Sequence, residues 1–233
     1  MKFIDIFFKG NASWVIKLVT GLLLTGHMAV AGAQRISFSM FFEPQISWLT
    51  ADTKNTIRDE SRTGFNTGLI MDKYFTENYA FSSGISILNT GGALMYEDSV
   101  SFDFNYGERI LPAGSVLAYK LQYINIPISL KLNSNQIGYL SFFAHPGICT
   151  HFNIKATADG LSDSLDVDNE NISDAVSIFN LSYFIGGGIE YSLGGNTAVI
   201  LGVFYDSGFL DITRTKDYKA TLSSVSLRLG LRF

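Results

Sequence analysis

Two of the three histidines, His145 and His151, lie close together in sequence with Cys149, the only cysteine, between them. Imidazole and thiol so spaced could serve nucleophilic catalysis or hold a metal ion. Neither histidine has a serine two residues on, the contexts being His145-Pro-Gly and His151-Phe-Asn, and Cys149 has no basic neighbour. A triad drawn from separate strands stays open, but the expectation is a chain without enzymatic activity, catalytic residues or a cofactor. A second grouping, Asp166-Val-Asp168-Asn-Glu170, has the 1-3-5 oxygen spacing of a calcium loop. Asn171 stands where such a loop needs glycine, and no bidentate glutamate follows. Asp166, Asp168 and Glu170 are therefore weak metal candidates in a loop expected to be solvated. A third set comprises Glu43, Asp72, Lys120, Lys131, Glu190, Asp206, Arg228 and Arg232, charges set singly into apolar alternating stretches. On one face they would form either a selectivity lining or a network of ion pairs. Their balanced signs favour the network.

The elements that must position these residues are strands. The 233 residues are 47% hydrophobic and 14% aromatic but only 16% charged, below the quarter usual for soluble domains. A lone cysteine excludes an internal disulfide framework and Cys-cluster metal sites. The net charge of −4 excludes a nucleic-acid partner. Lys2, Lys9 and Lys17 precede an apolar stretch over 18–31 and a small-x-small sequence, Ala31-Gly32-Ala33. That is the layout of a cleavable signal peptide over 1–33, too short to span a bilayer, with Gln34 beginning the mature chain. Its removal with Asp5 takes the net charge from −4 to −6. Beyond it, apolar residues recur at every second position and no stretch is long enough for a membrane helix.

Val225, Leu227, Leu229, Leu231 and Phe233 alternate with Ser224, Ser226, Arg228, Gly230 and Arg232. A charged face opposite an apolar one fits a barrel with lipid outside and a polar interior. The pattern predicts eight strands over 35–48, 62–75, 79–90, 115–132, 137–153, 177–193, 197–210 and 220–233. Tight polar turns at 76–78, 133–136 and 194–196 alternate with longer connections at 49–61, 91–114, 154–176 and 211–219. The fold expected for 34–233 is an all-β, eight-stranded antiparallel up-and-down transmembrane barrel, with both termini on the short-turn side. In the fourth strand the apolar phase slips between Tyr123 and Ile124. A β-bulge there would keep Tyr119, Leu121 and Tyr123 facing lipid. The Phe102, Phe104 and Tyr106 alternation predicts a hairpin continuing the sheet beyond the membrane.

The segment Tyr119-Lys-Leu-Gln-Tyr-Ile-Asn-Ile-Pro-Ile-Ser-Leu-Lys131 resembles the Tyr-(Leu/Ile)-x-Ile-Pro-(Leu/Ile)-x-x-Lys stretch of the PorT-like outer-membrane β-barrel family of Bacteroidota. His145-Pro-Gly-Ile resembles that family's following strand, and terminal Phe233 resembles an outer-membrane assembly signal. The resemblance implies an outer-membrane address and porin-like architecture; one branch of the family takes part in protein secretion. Eight strands leave room only for side chains or one small ligand. The expected role is therefore structural or interactive, with a small-solute channel or a secretion accessory as alternatives. The expected partners are outer-membrane lipid, the barrel assembly machinery, and extracellular or secretion partners of loops 91–114 and 154–176, around a monomer. Asp98-Ser99-Val100 and Asp163-Ser164-Leu165 fit a short O-glycosylation motif of the same phylum.

Overall fold

The computed structural model describes residues 35–51, 56–104, 107–161, 168–214 and 218–233. The expected leader and Ser164 lie outside these residues. The strands in chain order are β1 (Ile36–Ala51), β2 (Thr56–Tyr74), β3 (Tyr79–Tyr96), β4 (Val100–Phe104), β5 (Gly107–Leu111), β6 (Ser115–Asn133), β7 (Leu140–Gly160), β8 (Glu170–Asn171), β9 (Phe179–Gly194), β10 (Thr197–Gly208) and β11 (Ala220–Arg232). Eight of them form one antiparallel ring, β6-β3-β2-β1-β11-β10-β9-β7, which closes where β7 pairs with β6. Closure leaves no ladder group unpaired at an edge, a requirement for a sheet in lipid. The small strands stand apart: β4 pairs only with β5, and β8 adds two residues to β7.

The alternation expected from the sequence sets the two faces. Along β1, Phe38, Met40, Phe42 and Ile46 are exposed, while Ser37, Ser39, Glu43, Gln45 and Ser47 are buried inside. The same inversion recurs on β11, where Val225, Leu227, Leu229 and Leu231 face out and Ser224, Ser226 and Arg228 face in. A soluble barrel would place these sets the other way round. From Phe38 to Trp48 the outer face covers roughly 33 Å of strand, or roughly 25 Å along the axis at a 40° tilt. That matches the apolar belt of a transmembrane barrel. Exposed Phe75, Tyr79, Tyr139 and Tyr191 sit at the end carrying the tight turns, where an interfacial girdle belongs.

Four strands run further than their pattern predicts at the opposite, loop-bearing end: β1 reaches Ala51, β2 starts at Thr56, β3 reaches Tyr96 and β7 reaches Gly160. The barrel wall thus rises beyond the belt. At the turn end β7 begins at Leu140 instead of 137. Gly138, with φ +64°, makes a tight turn that pairs Ile137 with Leu140 first.

The bulge is on β7 and not on β6. Pairing steps from Tyr123 opposite Asn153 to Gln122 opposite Lys155, so Ile154 is the extra residue. It turns Ala156 and Ala158 inward. Strand β6 keeps a single phase from Ser115 to Lys131, and Tyr119, Leu121 and Tyr123 are buried in the interior instead of facing lipid. What changes at residue 124 is the chemistry of the bore. It is polar toward the turn end and apolar toward the loop end, where Leu49, Leu94, Tyr96, Tyr119 and Leu117 form a packed cluster.

The β4–β5 hairpin completes that cluster. It does not continue the barrel sheet; Phe102, Phe104 and Leu111 fold back and are buried with Tyr96, Tyr119 and Tyr218. Phe102 stacks on Tyr218 at 5.9 Å, and the Tyr218 hydroxyl donates to the Ser101 carbonyl at 2.7 Å. Beside the cap, the β2–β3 ladder is irregular between Ser61 and Phe65. Ser47 of β1 stitches the gap: its Oγ accepts from the Gly91 amide at 3.1 Å and donates to the Gly91 carbonyl at 2.8 Å. Gly91 has φ +150°, and a Cβ there would collide with the Tyr119 carbonyl, so this position needs glycine.

Candidate functional site

The inward face of the ring builds the site in layers. Nearest the turn end, β2, β6, β9 and β11 bring Asp72, Lys131, Glu190 and Arg232 together. The Lys131 Nζ lies 2.8 Å from Asp72 Oδ2 and 2.6 Å from Glu190 Oε1, and Arg232 Nη1 lies 2.6 Å from Glu190 Oε2. Ser82 Oγ donates to the second Asp72 oxygen at 2.6 Å. The Lys131 side chain is only 3% exposed. A charge this deep is tolerable because both carboxylates are at hand; removing one member leaves a buried charge uncompensated.

One layer further in, Arg228 Nε donates to Glu43 Oε1, and Asn66 Nδ2 donates to Glu43 Oε2 at 2.9 Å. The guanidinium lies over the Phe204 ring at 3.7 Å and the Phe41 ring at 4.7 Å. Arg228 Nη1 also points at His145 Nδ1, 3.5 Å away, while His145 Nε2 and Ser129 Oγ are 2.8 Å apart. A guanidinium has only donors. So His145 Nδ1 is the acceptor, and Nε2–H donates to Ser129. Glycines on the facing strands make room for the aromatic rings: a Cβ at Gly186 would overlap Phe204, and one at Gly147 would overlap Phe184.

Above these layers is a chamber of about 60 Å³, bordered by Asn66, Thr90, Asn125, His151 and Asp206, with Glu43 and Arg228 at its floor. His151 Nδ1 lies 2.7 Å from Asn125 Oδ1, and its Nε2 lies 2.7 Å from Ser182 Oγ. Ser182 Oγ donates to Asp206 Oδ2 at 2.8 Å. Histidine, serine and aspartate from three strands thus do meet, but in an order unlike an acyl-transfer triad. There the carboxylate orients the histidine; here Asp206 binds the serine and an amide binds the histidine. His151 is buried in the bore, not placed on an outer rim.

The candidate residues divide as follows. Glu43, Asp72, Lys131, Glu190, Arg228 and Arg232 meet in the two ion-pair layers, and Asp206 enters the bore bonded to Ser182. Lys120 does not belong to the bore: it shares the outer face of β6 with Ile126, Ile128 and Leu130. It pairs there with Asp159 on the protruding wall. Burial pushes the Asp159 carboxyl up, but the Lys120 ammonium and the Asn169 amide outweigh it and hold the group below the usual carboxylate range. Of the metal candidates, Asp166 lies outside the described residues, Asp168 is exposed, and Glu170 pairs with Arg109 at 3.2 Å. Among the described residues no cluster of three metal-binding side chains forms. Cys149 is buried in the bore. Phe233 is exposed and exchanges both backbone hydrogen bonds with Phe38. Ser99 is exposed in the bend between β3 and β4.

Alternation sets Asn125, Ser129 and Ser182 on the face opposite the lipid belt, where the structure has them, and the bore residues that sequence reading missed are Phe41 and Phe204. Strict parity along each strand would have found them. Parity also places Lys120 outside once the slip at residue 124 is not absorbed by a bulge.

The model of a family described as the outer membrane protein beta-barrel domain matches residues 31–214. No curated protein matches the chain. Among solved structures, Neisserial surface protein A is similar over 84% of this chain and 95% of its own, with 13% identity and a TM-score of 0.46. The attachment invasion locus protein Ail of Yersinia pestis is similar over 84% and 99%, with 15% identity and a TM-score of 0.40. OprG from Pseudomonas aeruginosa is similar over 85% and 94%, with 12% identity and a TM-score of 0.34. At such identities nothing about role transfers.

Proposed function

Since the chain belongs to the outer membrane protein β-barrel domain family, we propose that it works through its loop-bearing end at the cell exterior and conducts no solute. The observation that carries this reading is the filling of the bore at both ends. Buried ion pairs cross it toward the turns, and the β4–β5 hairpin packs Phe102, Phe104 and Leu111 into the mouth. An open pore of this fold class needs roughly twice as many strands. The protruding wall and hairpin present Ile110, 77% exposed, and Leu161, also exposed, as apolar contact points outside the belt. Kinship with the PorT-like branch, resting on Tyr119–Lys131, would make the partner a secretion component; co-purification of envelope proteins that depends on residues 100–111 tests that branch. Both buried histidines have neighbours that hold them in place, which supports a non-enzymatic role.

Planar-bilayer recording of the mature protein decides between surface action and conduction. The expected record has no stable openings at any applied voltage. Discrete, reproducible openings would establish the channel reading instead.

A further inference from the structure

We propose that His151, Ser182 and Asp206 form a proton-binding site inside the bore, in which one proton rests on His151 and is bridged to the Asp206 carboxylate by the Ser182 hydroxyl. The count of hydrogens points to it first. Four side chains make three short contacts in a row. Asp206 Oδ2 lies 2.8 Å from Ser182 Oγ, Ser182 Oγ lies 2.7 Å from His151 Nε2, and His151 Nδ1 lies 2.7 Å from Asn125 Oδ1. Each contact needs one hydrogen between its two heavy atoms. The carboxylate and the amide oxygen at the two ends only accept. The serine hydroxyl supplies one hydrogen, and a neutral imidazole supplies one more. The third is an extra proton: Ser182 donates to Asp206, and the His151 imidazolium donates at both nitrogens.

The charge balance of the bore is a second, separate observation. Below the apolar cap, Glu43, Asp72 and Glu190 are met by Arg228, Lys131 and Arg232. His145 is neutral, because its Nδ1 faces the Arg228 guanidinium. The proton on His151 therefore supplies the charge that answers Asp206. A buried imidazolium is tolerable only when its hydrogen bonds are met and a carboxylate is near, and both conditions hold here. The other titratable groups around the pair are already engaged. Glu43 and Arg228 hold each other, the Cys149 thiol lies against the Thr150 carbonyl, and Tyr123 meets the His151 ring edge-on at 5.8 Å.

The same geometry makes the site a switch. Without the extra proton, the single serine hydrogen serves either Asp206 or His151. The contact it leaves brings two lone pairs together and must part, so the side-chain tie running from β6 through β7 and β9 to β10 breaks at Ser182. The switch lies inside the bore, whatever the loop end binds.

The test is ring-nitrogen NMR of the folded mature protein, isotopically labelled at histidine, in detergent micelles at pH 7. Beyond the expected leader the chain has only His145 and His151, and His151→Gln assigns their signals. His145 should carry a proton on Nε2 alone, and His151 on both nitrogens. In Asp206→Asn the new amide can donate to Ser182, which then donates to His151, so the Nε2 proton signal of His151 should be lost. An unprotonated Nε2 in the wild type would overturn the proposal. An unprotonated Nδ1 would also overturn it, by showing that Asn125 presents its amide group to the ring. Two protonated nitrogens persisting in Asp206→Asn would overturn the bridge to the carboxylate. If Asp206→Asn does not fold, the wild-type spectrum decides alone.

Discussion

Lys131 carries the heaviest load of any single side chain in the bore, since its ammonium bridges Asp72 and Glu190, the second of which also pairs with Arg232. Lys131→Met would leave Asp72 buried without a cation, while Glu190 keeps Arg232. The expected cost is about 3–5 kcal/mol, read as a lowered urea midpoint in micelles, with partial recovery in Lys131→Met/Asp72→Asn. A loss below about 1 kcal/mol would mean that the layer is hydrated and screened. Gly186 offers a steric counterpart. Gly186→Val would drive a methyl group into Phe204, with an expected loss of about 1–3 kcal/mol from overpacking. The charges of this layer were legible in the sequence because each interrupts an apolar alternation. Their partners were not, because pairing joins residues as far apart as Glu43 and Arg228, and strand stagger decides who meets whom.

At the scale of elements, the eight long strands could be read from dyad patterning, with the differences confined to their ends. Patterning reports which face a residue takes but not what lies on the other side of the wall. Tyr119, Leu121 and Tyr123 are as apolar as lipid-facing residues, so period alone could not tell an apolar cap from a lipid belt. The hairpin that makes the cap necessary was visible as an alternation, but its fold-back depends on tertiary partners such as Tyr218. Removing residues 100–111 should expose Tyr96 and Tyr119 and raise tyrosine quenching by acrylamide; unchanged quenching would show that the wall alone shields them. On the outer side of the same wall, the Lys120–Asp159 pair gives a pH prediction with a fixed sign. The folded carboxyl lies below its unfolded value, so its contribution is complete at neutral pH and is lost as pH falls through the folded pKa, below about 3.9. Asp159→Asn should therefore raise hydrogen exchange of the Asn169 amide at pH 7, while the wild type stays protected from pH 7 down to pH 5.

For the whole molecule, the apolar surplus of the sequence becomes an outer belt, and its height can be measured. Trp48 is the only tryptophan outside the expected leader, and it sits at the loop end of the outer face with the Arg58 guanidinium 5.0 Å over its ring. In vesicles, lipids brominated near the headgroup should quench its fluorescence more strongly than lipids brominated deep in the chains; the reverse order would lower the belt relative to the wall. The ring also has a seam, where β11 pairs with β1 and Arg232 lies opposite Ser39. It joins the two most distant strands in sequence, so its closure carries the largest loop entropy of any ladder in the ring. Glu43 and Arg228 stand on opposite sides of that seam. Neither can find the other until the last strand docks, and an unclosed sheet would hold an unmatched carboxylate and guanidinium beside lipid. The ion pair therefore exists only in the closed ring, so whatever stability it contributes is withheld from any sheet whose two ends have not met.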